Sequence, residues 1–482
     1  MLAPEADAVA SVQPLELLIG GQWVFRLPQI EVRNPFDGSL AGVVGSGTAQ
    51  DVHDAIGRAV AALSVDFPTH ARYTVLQKAA ARIEAQAEEY ARDIAAEGSK
   101  TIREARREPP RAANILRLSA EEGRRIAGET LPFDSRAGSE NRVGYYFRVP
   151  AGVVAAIAPF NDPLAVAAHK AGPALAAGNA VILKPSLATP LSALRLARDL
   201  TEAGLPGGRL SVIVGPDREV GETLVTDPRV RVVSFTGGVV NGERIARAVG
   251  VKKLLMELGS NSPVIVLADA DLDRAATSIC SGAFAQAGQN CIGVQRVLIH
   301  RDVYAGFVQK FLSSVAALKA GSSRDETTDV CSMINEQQAA RIEDWVAEAV
   351  RQGARVLAGG RRRGPLFEPT VLDRVPFGVR VDREEVYGPV VSLYTVDSLE
   401  QAIEVANGVP YGLHAAIFTE NLRDAFTAIR RLEFGGVMVN DSTDYRLDVM
   451  PFGGAKMSGI SREGIRFALE EMTETRVVCL NL

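Results

Sequence analysis

The sequence predicts an α/β protein with two doubly wound α/β domains and a small β arm. Three observations carry that prediction. Five short apolar runs between residues 153 and 256 alternate with helix-like segments; a second such series runs from 263 to 418; and two strand-like stretches, 142–148 and 475–482, stand far apart in the chain. Strands that read as unbroken apolar runs belong to a parallel sheet covered on both faces.

Taken in order, residues 1–50 read as a polar arm with short strand-like pieces such as 15–20. Residues 51–63 and 73–125 are rich in Ala, Glu and Arg with helical periodicity, which predicts several amphipathic helices. Near Thr130 the chain turns polar, and the 142–148 strand leaves the first domain. The first series places strands at 153–158, 180–183, 210–214, 230–235 and 253–256, separated by helices at 164–176, 190–203, 218–226 and 240–249. The second places strands at 263–267, 296–300, 354–358, 390–396 and 414–418, with helices at 271–286, 303–318, 337–352 and 422–432. The 475–482 strand can pair with 142–148, and two such strands predict an oligomerisation arm. The expected division is one domain from 1–130 and 150–257, a second from 258–450, and an arm from 131–149 and 465–482.

Composition narrows the function classes. The net charge of −5 argues against a nucleic-acid or anionic-membrane partner, which wants a basic footprint. The run Arg361-Arg362-Arg363 reads as a solvated loop. Cys280, Cys291, Cys331 and Cys479 are scattered, without a CxxC pair, so a reducing compartment, the cytoplasm, fits best. The five histidines show no HExxH spacing, and no catalytic metal is expected. No run of 18 apolar residues predicts a membrane span, and residues 1–13 do not read as a signal peptide.

Several short motifs carry chemistry. In Gly288-Gln289-Asn290-Cys291 the thiol follows a polar loop after a helix, a better place for a nucleophile than an apolar stripe, although a lone Cys is more often a small core residue. Cys280 and Cys479 fit that ordinary role. Pro159-Phe160-Asn161 ends the first buried strand, where a doubly wound sheet presents functional groups. It reads equally as a turn; as a functional group, its amide can donate to a developing oxyanion. Glu257 directly follows a buried strand, an expensive place for a carboxylate unless it is solvated, paired or used as a base. The turn Thr236-Gly237-Gly238 precedes a helix and can admit a phosphate to its N-terminus, or be an ordinary tight connection. Lys184-Pro185-Ser186 ends the second strand; read alone, its lysine is a surface residue.

Together these motifs resemble the aldehyde dehydrogenase superfamily, in its non-acylating branch, over nearly the whole chain. Phe160-Asn161, Lys184-Pro185-Ser186, Phe235-Thr236-Gly237, Glu257-Leu258-Gly259, Gly288-Gln289-Asn290-Cys291, Glu385-Val386-Tyr387-Gly388-Pro389 and Pro451-Phe452-Gly453-Gly454 fall in the family's order. The resemblance implies an NAD- or NADP-dependent enzyme that oxidises an aldehyde, with a dinucleotide-binding first domain and a catalytic second domain. It implies Cys291 as nucleophile, Asn161 with the Cys291 backbone N–H as oxyanion hole, Glu257 as the base that activates water, and Lys170 as a proton relay. For the cofactor it implies Lys184 and Ser186 at the adenosine ribose, Gly237 and Gly238 at the pyrophosphate, Glu385 at the nicotinamide ribose, and Phe160 and Tyr387 close by. It also implies a homodimer or homotetramer.

Four departures bear on specificity. Leu187 stands where the family often has a ribose-binding Glu, which leaves NAD against NADP open; Gly238 replaces a frequent Ser; Phe160 replaces Trp; and Asn290 precedes the nucleophile where some enzymes for phosphorylated aldehydes carry Arg. Arg111 and Arg446 approach the aldehyde tunnel by position in the family, and Asp162 follows Asn161, which together point to a small polar aldehyde. Structural salt bridges explain both arginines equally well. Two other readings compete: a CoA-acylating aldehyde dehydrogenase, against which Glu257 argues, and a catalytically silent dinucleotide-binding protein, against which Cys291 and Glu257 both argue.

Overall fold

The computed structural model describes residues 13–482. The expectation about the first thirteen residues therefore lies, except for Gln13, outside the described residues.

The first sheet runs in the order Gln22–Val24, Leu17–Ile19, Leu210–Val212, Ala180–Lys184, Val153–Ile157, Val230–Thr236, Lys253–Glu257, Gly459–Ile460. Its five central strands are parallel and correspond to the five apolar runs; their inward and outward faces are both covered, so no polar alternation appears. Successive strands step outward from Val153–Ile157 on one side, then return to build on its other side. The order thus reverses between Val153–Ile157 and Val230–Thr236, and the crevice of such a sheet opens at the carboxyl ends of those two strands. Leu17–Ile19, expected in a polar arm, is instead fully buried and joins this sheet antiparallel to Leu210–Val212.

Local sequence explains the helices that pack on the sheet. Ala49–Leu63 starts at a capping box between Thr48 and Asp51 and buries Val52, Ala55, Ile56, Ala59 and Ala62, spaced three and four residues apart. Pro163–Ala176 begins with Pro at its first position and is buried along its whole length, so small Ala and Gly residues dominate it. A Cβ at Gly172 would lie 2.7 Å from Ser119 Oγ, so only glycine lets the helix Glu108–Gly123 approach this closely.

The second sheet has the order Arg355–Ala358, Thr370–Asp373, Val390–Val396, Val294–His300, Ser262–Val266, His414–Phe418, Gly436–Val439. It is parallel except for Arg355–Ala358, which runs antiparallel to Thr370–Asp373. Sequence periodicity missed Thr370–Asp373, Gly436–Val439 and the helix Leu399–Asn407. The two strands are only four residues long, too short to show a pattern.

The arm is a three-stranded sheet in the order Thr473–Asn481, Arg142–Pro150, Glu129–Leu131, with Thr475 opposite Arg148. Its C-terminal part starts at Thr473 and not at 465. The helix Ile465–Glu471 buries Ile465, Ala468 and Leu469 in the core of the first sheet. Among the described residues no helix is long and apolar enough to cross a membrane, and no cluster of His, Cys, Asp and Glu could hold a metal ion.

Candidate active site

One cavity of about 1060 Å³ opens at the switch point of the first sheet and extends to the second. Its wall includes Phe160, Asn161 and Asp162 from the end of Val153–Ile157, Lys184 and Ser186 from the end of Ala180–Lys184, and Gly237, Gly238 and Glu257 from the next two strand ends. The second unit contributes Cys291, Glu385, Tyr387 and Arg446. The residues of the first sheet sit at or just beyond strand ends, whereas Cys291, Glu385 and Tyr387 sit in loops that lead into the strands Val294–His300 and Val390–Val396.

Cys291 follows a kinked loop in which Gln286 and Ala287 hold left-handed φ of 54° and 53°. Gly288 is left-handed too, and a Cβ there would come within 2.1 Å of the Gly388 carbonyl. Glycine is therefore required where the Cys291 loop touches the Tyr387 loop. Gln289 pins the loop, donating to the Gln286 carbonyl at 3.2 Å and accepting from the Ile334 N–H at 2.9 Å. Cys291 packs against buried Ile292, Leu413 and Phe452. Burial pushes its thiol up to about 12, with the Arg446 charge pulling the other way.

Glu257 is buried, and neither carboxylate oxygen has a hydrogen-bond partner. Burial first, and the negative charge of Glu463 second, raise its pKa well above the ordinary carboxylate value; Arg446 and Lys170 oppose the rise. A buried carboxyl left unpaired is costly unless function uses it. Lys170, from the buried helix, stands behind the cavity wall and donates to Ser234 Oγ at 3.1 Å and Glu463 Oε1 at 3.3 Å. Burial lowers its pKa, while Glu463 and Glu257 raise it. Glu463 also accepts from Arg446 Nη2 at 2.9 Å. Despite its burial, Lys170, His169 and Arg446 hold Glu463 well below the usual carboxylate range.

Sequence reasoning missed Glu463. It lies in the turn Ser461-Arg462-Glu463-Gly464, which reads locally as a solvated loop, and only its backbone pairing with Phe452 brings it inward.

The substrate candidates divide. Arg446 lines the cavity with its guanidinium 3.7 Å over the Phe452 ring, and its Nε–H has no protein acceptor. Asp162 also lines it, and contacts Lys100 and Gln286. Arg111 stands outside the lining, with Nε and Nη2 on Asp448 at 3.1 and 3.0 Å. Asn290 stands outside as well, because its Oδ1 accepts from the Ile292 N–H at 3.2 Å within its own turn.

The far end of the cavity fits a dinucleotide. Gly238 caps the helix Val239–Ala248, and a Cβ there would meet nothing within 4 Å, so the backbone N–H groups of the helix start face open space. Lys184 carries an ion pair with the exposed Asp217, and Leu187 and Arg244 line the same end. Nearer Cys291, Glu385 Oε1 accepts from the Ser260 N–H at 2.8 Å, and burial raises its pKa to about 7. Tyr387 packs edge-on against Phe160 at 5.8 Å between ring centroids.

The family model for the aldehyde dehydrogenase family matches residues 23–478. The chain belongs to the aldehyde dehydrogenase family. This aldehyde dehydrogenase is 49% identical to aspartate-semialdehyde dehydrogenase 1 of Pseudomonas canavaninivorans, over 94% of this chain and 97% of the relative. It is 44% identical to the 3-sulfolactaldehyde dehydrogenase of Priestia aryabhattai, over 98% of this chain and all of the relative. The crystal structure of aldehyde dehydrogenase 21 from Physcomitrella patens, in complex with the reaction product succinate, superposes with a TM-score of 0.95 at 37% identity, covering 98% and 99% of the two chains. The NADP-dependent glyceraldehyde-3-phosphate dehydrogenase of Bacillus halodurans, complexed with NADP, gives a TM-score of 0.95 at 36% identity, over 98% of this chain and all of the other. The chain is an NAD(P)-dependent oxidoreductase acting on aldehydes.

Proposed function

We propose that this enzyme oxidises a small anionic aldehyde to its acid through a thioester on Cys291. The observation that carries the reading is the shared opening of Cys291, Asn161 and Glu257 on one cavity, with both Glu257 oxygens free of protein partners. The Cys291 thiolate attacks the aldehyde carbon, and the Asn161 amide and the Cys291 backbone N–H receive the oxyanion. The cofactor supplies the hydride acceptor. Loss of hydride from the tetrahedral adduct leaves the thioester. Glu257 then takes a proton from water, which hydrolyses it, and Lys170 and Glu463 carry the proton onward. Burial raises the Glu257 pKa, and the residue takes its role as a base only once ionised.

Lys184, Ser186, Gly237, Gly238 and Glu385 are the residues to hold the NAD or NADP, with Phe160 and Tyr387 beside the nicotinamide end. Arg446 supports an anionic substrate: it is the cation lining the cavity whose charge reaches Cys291. The named substrates of the relatives, aspartate semialdehyde and sulfolactaldehyde, and the succinate of the plant neighbour share that chemistry. The presence of Glu257 favours hydrolysis over transfer to CoA. Turnover of succinate semialdehyde, aspartate semialdehyde and sulfolactaldehyde against neutral aldehydes of equal length, each with NAD and NADP, tests the reading. An anionic preference supports it; equal rates would remove the substrate part.

We assign residues 1–130 and 150–257 to dinucleotide binding, with the helix Ile465–Glu471 packed on them, 258–450 to catalysis, and the three-stranded arm to assembly of a homodimer or homotetramer. Val143, Tyr145 and Phe147 alternate along one strand, with Leu480 opposite Val143, and all four are exposed. An apolar stripe of this kind suits a partner subunit. The four cysteines, none of them in a disulfide, support a reducing, cytoplasmic location.

A further inference from the structure

Asp162 occupies the N-cap position of the helix Pro163–Ala176, yet its side chain makes no cap hydrogen bond. An Asp at this position ordinarily accepts from the second or third N–H of its own helix. Here Glu108, from the neighbouring helix Glu108–Gly123, has taken those donors: its Oε1 accepts from the Leu164 and Ala165 N–H groups at 2.8 Å each. The Asp162 carboxylate is thereby released to point elsewhere. It accepts from Lys100 Nζ, which also bonds Glu108 Oε2 at 2.6 Å, and its Oδ1 accepts from Gln286 Nε2 at 3.2 Å. Lys100 and Glu108 are both buried, so this ion pair is fixed by the fold.

Gln286 lies five residues before Cys291 in the kinked loop, at a left-handed φ of 54°, and its N–H is held by Glu104 Oε1 at 2.8 Å. Glu104 and Asp162 belong to the first unit, while Gln286 belongs to the loop that carries the nucleophile. Asp162 is the immediate neighbour of Asn161. Its side chain therefore spans the two segments that present the oxyanion donors, one on the Asn161 side and one on the Cys291 side.

We propose that Asp162 and Gln286 are positioning residues that hold the two halves of the oxyanion hole in register, with Lys100 and Glu108 anchoring the Asp162 end. The proposal rests on the thioester mechanism, because it needs Asn161 and the Cys291 N–H to act on the same oxygen. Donors misplaced by a fraction of an ångström lose much of their hold on the tetrahedral adduct.

The test measures the burst of reduced cofactor in a single turnover with the best anionic aldehyde. The enzymes are wild type, Gln286→Asn, Asp162→Ala, Asp162→Asn and the Gln286→Asn/Asp162→Ala double variant, with Cys291→Ala as control. Asn tolerates the left-handed backbone at 286 but is one methylene too short to reach Asp162. Either single variant is expected to slow the burst about tenfold or more while cofactor affinity, read by fluorescence titration, stays unchanged. The double variant should be no slower than Asp162→Ala, since both break one tie. Asp162→Asn, which keeps an oxygen for Gln286, should recover part of the rate. Alkylation of Cys291 in the cofactor-free enzyme, read by peptide mass spectrometry, should change with the loosened loop in the same variants.

An effect confined to KM, additive losses in the double variant, or a Gln286→Asn burst equal to wild type would overturn the proposal. Gln286→Asn leaves the Lys100 ion pairs intact, so it decides the matter even where Asp162→Ala fails to fold. A wild-type burst that is absent, or that survives in Cys291→Ala, would overturn the thioester mechanism itself, and is thus distinguishable from failure of the tie.

Discussion

Lys170 Nζ sits 3.3 Å from Glu463 Oε1, and among the described residues neither Glu257 oxygen has a hydrogen-bond partner. The lysine thus does not clamp the base directly. It neutralises a second carboxylate, and Arg446 completes that neutralisation from the other side. Glu257 is left desolvated, with no protein hydrogen bond to hold its carboxyl.

That arrangement fixes the sign of a pH effect. In the proposed mechanism Glu257 works as a base only when ionised, so hydrolysis of the thioester should rise with pH through its elevated pKa. Glu463→Gln removes the neighbouring negative charge and leaves Lys170 and Arg446 in place. The Glu257 pKa should fall, and the acidic limb of the pH–rate profile should move to lower pH. A limb that stays put or moves upward would show that Glu463 does not govern the base.

Arg446 should matter twice. Its charge opposes the burial that raises the Cys291 thiol, so Arg446→Met should slow alkylation of Cys291 at neutral pH. The same variant should lower kcat/KM for anionic aldehydes by about tenfold to hundredfold, the range of a lost charge-assisted hydrogen bond, and affect neutral aldehydes less. Equal losses for both substrate classes would leave Arg446 with only its ties to Glu463 and Phe452.

At the cofactor end, a Cβ on Gly238 meets nothing, so Gly238→Ser should fold normally. Serine at this N-cap adds a few tenths of a kcal/mol of helix stability and offers a hydroxyl to the pyrophosphate. Dinucleotide affinity should rise, as titration would show. Leu187→Glu, beside Lys184, should weaken NADP relative to NAD by about tenfold through like-charge repulsion. An unchanged ratio would place the 2′ position elsewhere.

Much of the fold was legible because buried parallel strands write themselves as apolar runs: all five central strands of the first sheet were readable. The short strands Thr370–Asp373 and Gly436–Val439 were not, since four residues carry no period. At the site, strand-end motifs pointed to Asn161 and Glu257, and the polar loop Gly288-Gln289-Asn290 pointed to Cys291; all three line one cavity. The polar scaffold behind them was invisible: Glu108 starts a helix, Lys100 and Glu463 lie in connections whose local sequence looks solvated, and only tertiary packing buries them. For Arg111 the sequence left substrate contact and a structural salt bridge both open. Its bonds to Asp448, distant in sequence, and its place outside the cavity lining match the salt bridge.

The arm makes a prediction about assembly. Val143 and Leu480 face each other across its two long strands and are both about half exposed. Replacing each by Glu should place like charges directly opposite and shift the enzyme toward monomer in sedimentation velocity, with little change in the far-ultraviolet spectrum. An unaltered sedimentation coefficient would remove this face from the interface.

The central claim is the covalent intermediate on Cys291, and the most direct test is to trap it. A Glu257→Gln enzyme, mixed with cofactor and the best anionic aldehyde and quenched in acid, should accumulate the acyl mass on the peptide that contains Cys291, after one turnover of cofactor reduction. No acyl mass on that peptide, with cofactor still reduced, would contradict the account.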